Sequence, residues 1–252
     1  MLKKIICIAF CLLFVFEAFS QNKISIDTLN VKQIGQKEGL FQLNVKAISQ
    51  DELDYLWLAT EDGLHRYNSV DFKIFSQNPL DSLSIPEDHV RDLYNTKDTL
   101  FIASNSKGVF GLNLVTETFF EFPKNDTNIS ENTSYKILPL NQNNILFSLR
   151  NAFQIYNRKT KKIASISLPK NDVENYIKSL LQIDENTYLL ATSNSGLLLL
   201  DINSYQISHF TTIDKGSHNT LFKHENTLFV GTDKGLYLLN LKTKLAVNIL
   251  EN

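Results

Sequence analysis

The chain has 252 residues and a formal net charge of −2 at pH 7, from 27 acidic and 25 basic side chains. A balance this close to neutral gives no electrostatic footprint for nucleic acid. Its 2 cysteines, Cys7 and Cys11, both lie near the N-terminus, so downstream of them no disulfide, thiolate ligand or thiol nucleophile is available.

Residues 1–20 read as a signal peptide. Lys3 and Lys4 give a basic start, an apolar run extends from Ile5 to Phe16, and Ala18-Phe19-Ser20 precedes a cleavage site before Gln21. The run is too short to span a bilayer comfortably. Phe10 before Cys11 departs from the small-residue context of a lipoprotein signal. The expected mature chain, residues 21–252, is secreted, soluble and without a membrane span. Residues 21–44 form an N-terminal segment. Within it, an extra strand supplied to a last blade by Ile24 to Ile34 would favour closure of the ring.

From residue 45 onward the chain repeats. Related stretches are anchored at Gly63, Gly108, Ala152, Gly196 and Gly235, at spacings of 45, 44, 44 and 39 residues. Four short runs of β-branched, aromatic and apolar residues fill each unit, separated by turn residues. In the first they are "VKAISQ", "YLWLAT", "GLHRYN" and "DFKIFS". Four strands in about 44 residues mark a propeller blade. The expectation is an all-β propeller of five blades at residues 45–78, 90–123, 135–169, 177–212 and 218–250. Between the second and third lies "KNDTNISENTS", whose sequons at Asn125, Asn128 and Asn132 read as a linker.

The repeat columns carry physical meaning. Ala59, Ala103, Ser148, Ala191 and Gly231 are all small, which predicts close approach of a neighbouring strand or blade. Thr60, Ser104, Thr192 and Thr232 place hydroxyls to bond a turn backbone, with Leu149 the exception. Gly63, Gly108, Gly196 and Gly235 permit positive φ in that turn, and Ala152 requires the third copy to turn differently. Asn68, Asn113, Asn157, Asp201 and Asn240, five residues after each anchor, are turn starters.

Glu61, Asp62, His65 and Arg66 crowd together in the first copy. The other copies replace them with chemically unrelated residues, so the cluster reads as a polar turn rather than an active site. No phosphate loop, metal-spaced histidine pair or nucleophile elbow occurs. No catalytic residue, metal or cofactor is expected, and the chain reads as a non-enzyme.

The stretch from Gly39 to Tyr67, "GLFQLNVKAISQDELDYLWLATEDGLHRY", resembles the opening repeat of the two-component regulator propeller family of bacterial sensors. Gly39, Leu40, Val45, Ile48, Asp51, Trp57, Ala59, Thr60, Gly63, Leu64, Arg66 and Tyr67 carry the resemblance. "NPLDSLSIPEDHVRDLY" is similar to that family's link into its next repeat. Asp54 stands where a glycine is usual, and later copies have Phe101, Leu146, Leu189 and Phe229 in place of the tryptophan. The resemblance implies a periplasmic sensor half, with relatives that respond to oligosaccharides. No kinase or output segment is present, so any signalling output is expected on another polypeptide.

Two functions remain. One is a ligand-binding sensor module, with an oligosaccharide as the ligand. The other is a propeller scaffold that binds a protein partner, or a truncated fragment that does not signal. Turns between second and third strands should share one face with the links between blades. The ligand-binding candidates there are Glu61, Asp62, Asn105, Lys107, Arg150, Asn151, Asn194, Asp233 and Lys234. Exposed aromatic residues on that face would favour a sugar. Five copies of a repeat suited to wider rings predict an open set of blades rather than a closed five-bladed ring. Uncovered terminal blades are then expected to support self-association.

Overall fold

The computed structural model describes residues 31–122, 133–170, 173–210, 213 and 216–249. The expected signal peptide, the three sequon asparagines and most of the Ile24–Ile34 segment lie outside these residues. Residues up to Ile34 form one unit and Gly35–Asn252 another; the strands among the described residues lie in the second.

It opens on a single 3-10 turn, Gln36–Glu38, where the Gly35 backbone N–H donates to the Glu38 carboxylate at 2.7 Å. Five four-stranded antiparallel sheets follow, each a simple meander. Blade one is β1 (Ala47–Gln50), β2 (Leu56–Thr60), β3 (Gly63–Tyr67) and β4 (Phe72–Phe75). Blade two is β5 (Val90–Asn95), β6 (Thr99–Ser104), β7 (Val109–Asn113) and β8 (Thr118–Glu121). Blade three is β9 (Ser134–Pro139), β10 (Asn144–Leu149), β11 (Ala152–Asn157) and β12 (Ile163–Ser167). Blade four is β13 (Ile177–Gln182), β14 (Thr187–Thr192), β15 (Leu197–Asp201) and β16 (Ile207–His209). Blade five is β17 (His218–His224), β18 (Thr227–Thr232), β19 (Gly235–Asn240) and β20 (Ala246–Asn248).

Each inner sheet buries both faces, so its central strands are apolar without alternation. Leu100 and Ile102 of β6 pack back against Trp57, Ala59 and Leu64 of blade one. Their neighbours Phe101 and Ala103 pack forward against Ile145, Phe147 and Tyr156 of blade three. The pattern continues through Leu146 and Ile155 against Tyr188 and Leu190, then Leu189 and Ala191 against Leu228 and Val230. Four clusters therefore join five blades in succession. Among the described residues no core cluster joins blade five to blade one, so the set is open, as the repeat count predicts. The forward face of blade five carries Phe222 and Val247, each 62% exposed.

The turn columns behave as their chemistry requires. Thr60, Ser104, Thr192 and Thr232 donate their hydroxyls to the carbonyls of Gly63, Gly108, Gly196 and Gly235 at 2.8–3.0 Å. All four glycines have positive φ. In blade three the left-handed residue is Asn151, at φ 56, one place before Ala152. All five Asn/Asp turn starters accept backbone N–H groups two and three residues on. Asp54, in the place of the usual glycine, sits at φ 64.

The small column marks the seam between blades. At its third member, the Ser148 hydroxyl donates to the Ile177 carbonyl at 2.8 Å and accepts the Ile177 N–H at 2.9 Å. The first strand of blade four is thereby fastened to blade three.

Candidate functional site

First strands of successive blades run beside one another, β1 by β5, β5 by β9, β9 by β13 and β13 by β17. In blades two to five each carries one residue too many. Val90 pairs with Ser104 and Asp92 with Ala103, which leaves Arg91 without a partner across the ladder. The same register shift leaves out Tyr135, Lys178 and Asn219. A β-bulge of this kind re-aims the extra side chain. In blade one Lys46 stands just before β1, its N–H donating to the Ala59 carbonyl at 2.8 Å. Lys46, Arg91, Tyr135, Lys178 and Asn219 follow one another at 45, 44, 43 and 41 residues. They make one polar row beside the turns between second and third strands.

The row is continuous through its contacts. Lys46 pairs with Glu61 at 2.8 Å, and His89 lies 3.9 Å from the same carboxylate. Hydrogen bonding to Lys46 holds the Glu61 carboxyl below its usual range. Arg91 donates through Nε and Nη2 to Asn105 Oδ1, at 3.2 and 2.5 Å, and its guanidinium lies 4.9 Å over the Tyr135 ring. Tyr135 stacks on Tyr176 with centroids 3.9 Å apart and 10° between planes. The Tyr135 hydroxyl donates to the Glu174 carboxylate, and Arg150 is 3.5 Å from it. Lys178 lies 5.8 Å over the Tyr176 ring and donates to Ser217 Oγ and Asn219 Oδ1 at 2.6 and 2.7 Å. Desolvation lowers the Lys178 pKa and raises that of Tyr176.

A cleft of about 340 Å³ opens on this row, lined by Lys46, Glu61, His89, Arg91, Tyr135 and Lys136. Lys136 is itself 3.2 Å from Asp92, whose carboxyl is raised by burial despite that partner. A second cleft, of about 480 Å³, lies at the opposite end of blades one and two, among Tyr55, Trp57, Lys97 and Leu114. There Arg66 reaches across to Glu117 at 2.6 Å while stacking over Tyr55 at 4.6 Å. The Trp57 indole donates to Asp51 at 2.8 Å.

The charged cluster of the first repeat is thus taken apart. Glu61 faces the row, Asp62 is exposed at the turn tip, His65 is buried, and Arg66 points to the far end. The turns do lie against the blade links: Gly63 N–H bonds Asp88, Asn105 bonds His89, Ser193 bonds Tyr176 and Asp233 bonds Ser217. Among the turn candidates, Glu61 and Asn105 contact the row, and Arg150 reaches it through Glu174. Asn151 instead shapes its own turn and accepts the Asn175 N–H at 2.8 Å. Asn194 donates to the Glu174 carbonyl at 2.5 Å. Asp62, Lys107, Asp233 and Lys234 are exposed turn tips, with their backbone N–H groups bonded within the turn or, for Asp233, to the link. Turn-based reading missed Lys46, Arg91, Tyr135, Tyr176 and Lys178. The signal was available, because four of these five recur with the repeat period at the start of the first strand. Among the described residues no group of three or more His, Cys, Asp or Glu side chains is placed to hold a metal ion. No helix among them is long and apolar enough to cross a membrane.

No family model matches the sequence. A curated relative, Histidine kinase P4 from Formosa agariphila, is 46% identical over 48 residues, which is 19% of this chain and 4% of that protein. Solved structures resemble it over most of its length. The extracellular domain of BT3049 from B. thetaiotaomicron, assigned as a hybrid two component system, superposes with a TM-score of 0.73 at 21% identity, covering 86% of this chain and 31% of that one. The corresponding domain of BT4673 gives 0.56 at 18% identity, covering 88% and 34%. PorZ, a surface component of the type-IX secretion system of Porphyromonas gingivalis, gives 0.58 at 14% identity, covering 82% and 33%. The chain spans about a third of the length of these structures and a small part of the curated relative. At such identities the shared property is the fold of successive four-stranded blades.

Proposed function

We propose that the chain is a non-catalytic sensor module, exported to the periplasm, that binds an oligosaccharide along its bulge row. The observation that carries this reading is the row itself. Five blades each contribute a residue from the same position, and in four of them a bulge departs from a regular ladder to place it there. Fold stability alone does not require that departure. The likeness to extracellular domains of two-component systems supports the sensor role and an extracellular or periplasmic location. Signalling output would come from outside these blades.

The test is calorimetric titration of an oligosaccharide panel into the purified protein. Tyr176→Ala should abolish binding with the fold retained, and Lys97→Ala, at the far cleft, should leave it intact. Binding that survives Tyr176→Ala but fails in Lys97→Ala would move the site to the far cleft. Shortening of any oligosaccharide, lost in a Glu61→Gln, Asp62→Asn and His65→Gln triple variant, would make the protein an enzyme instead. A scaffold role is the second reading, favoured by the exposed apolar row on blade five.

A further inference from the structure

The rim of the bulge row differs from a sugar platform in one respect. Each tyrosine ring already has neighbours: Tyr135 stacks on Tyr176 with Arg91 4.9 Å from its centroid, and Lys178 stands 5.8 Å from the centroid of Tyr176. What the row offers outward is donors.

Its charges are also unevenly matched. Glu61 carries Lys46, Glu174 carries Arg150, and Asp92 carries Lys136. Arg91 and Lys178 are left with neutral partners, the Asn105 amide for one and Ser217 with Asn219 for the other. Glu61 acts on Arg91 and Asp233 on Lys178 through space, but neither forms an ion pair with it. Asn105 takes only the Nε and Nη2 hydrogens of Arg91, so the Nη1 edge of the fork points elsewhere. The cleft beside it has four basic side chains on its walls against one carboxylate. A guanidinium placed 4.9 Å over an aromatic ring, with its Nη1 side outside the Asn105 contact, is preorganised for an oxyanion.

We propose that the ligand is an acidic saccharide, whose carboxylate or sulfate ester lies against Arg91 in the cleft and whose next acidic group reaches Lys178 across the tyrosine stack. This rests on the sensor reading above and specifies its ligand.

The experiment compares trigalacturonate, a sulfated chondroitin tetrasaccharide, inorganic sulfate and the neutral sugars galactotriose and xylotetraose, each titrated into the purified protein at low and high salt. The expected result is binding by at least one acidic oligosaccharide, weakened by salt. Inorganic sulfate should bind much more weakly. Arg91→Gln and Lys178→Gln should each weaken the acidic ligand about tenfold or more, since each removes a charge-assisted contact. Lys242→Gln, an exposed turn change at the far end, should have no effect. Binding of trigalacturonate would show that carboxylates suffice, whereas binding of the sulfated tetrasaccharide alone, which carries both uronate carboxylates and sulfate esters, would show that the sulfate is required. Neutral sugars binding as tightly, indifferent to salt and to both variants, would overturn the acidic ligand and leave the sensor reading standing. Absence of binding by every saccharide would overturn both. If Arg91→Gln misfolds by circular dichroism, Lys178→Gln and the salt dependence still decide the question.

Discussion

Single residues in this protein are constrained mainly by turn geometry and burial. Gly63 has φ +99, and a Cβ there would lie 2.4 Å from the Phe75 carbonyl oxygen. Gly63→Val combines backbone strain with a clash against main chain that cannot swing away. A loss of about 1–3 kcal/mol from strain alone is expected, and melts should rank it below Ala152→Val. Ala152 is preceded by the residue that takes the left-handed conformation, so its own Cβ is already accommodated. If Ala152→Val melts lower, the alignment of the third copy is wrong. His65 and His218 are buried, and desolvation lowers both pKa values from 6.5. The unfolded chain therefore takes up protons first as pH falls through about 6.5, while the folded chain resists. Their contribution to stability is full above that value and lost on acidification. His65→Phe, which places in blade one the residue that blade two has at Phe110, should flatten this acid limb in urea titrations at pH 5–7. An unchanged slope would show that His65 titrates normally.

At the scale of the element, each blade is held to the next by a side chain small enough to let strands approach. Ala59, Ala103 and Ala191 do this by packing, and Ser148 by two hydrogen bonds to Ile177. Ser148→Ala leaves a buried N–H and a buried carbonyl without that partner, at a cost of about 1–3 kcal/mol. Amide exchange at Ile177 should quicken in this variant while exchange in blades one and two is unchanged. Equal exchange at Ile177 would mean the ladder, not the serine, fastens β13. Bulges sit beside this seam in four blades, so the element that joins the blades also aims the bulge row.

At the scale of the whole molecule, the decisive feature is that five blades are joined by four interfaces. The row that faces forward in blades three and four, Leu146 with Ile155 and Leu189 with Leu199, is covered by the blade that follows. Its counterpart in blade five runs Phe222, Phe229, Leu238 and Val247 across paired strands. Sedimentation should show concentration-dependent association of the protein through this face with a second copy. Phe222→Lys with Val247→Lys should reduce it without lowering the melting temperature by much, since both side chains are largely exposed. A parent protein that stays monomeric at every concentration would remove self-association from its properties.

Much of the fold was legible in the chain because its signals are local. A threonine or serine reaches a carbonyl three or four residues on, an asparagine or aspartate caps N–H groups two and three residues on, and a glycine relieves its own φ, so four copies of the hydroxyl and of the glycine and five of the turn starter could be read by spacing alone. Trp57 and Asp51 could be paired the same way, six residues apart. The site was less legible. Turn polarity pointed to Glu61, Asn105 and Arg150 but also to Asp62, Lys107, Asp233 and Lys234, which decorate turn tips. The row's repeat spacing was there to be read, but only the tertiary structure decided that Arg91, Tyr135, Tyr176 and Lys178 are brought into contact from three different blades. A bulge leaves no mark in apolar alternation, and a ring stack or an unmatched cation depends on partners some forty residues away. Local hydrogen bonds wrote the blades into the sequence, whereas packing between blades, which acts at that longer range, assembled the bulge row.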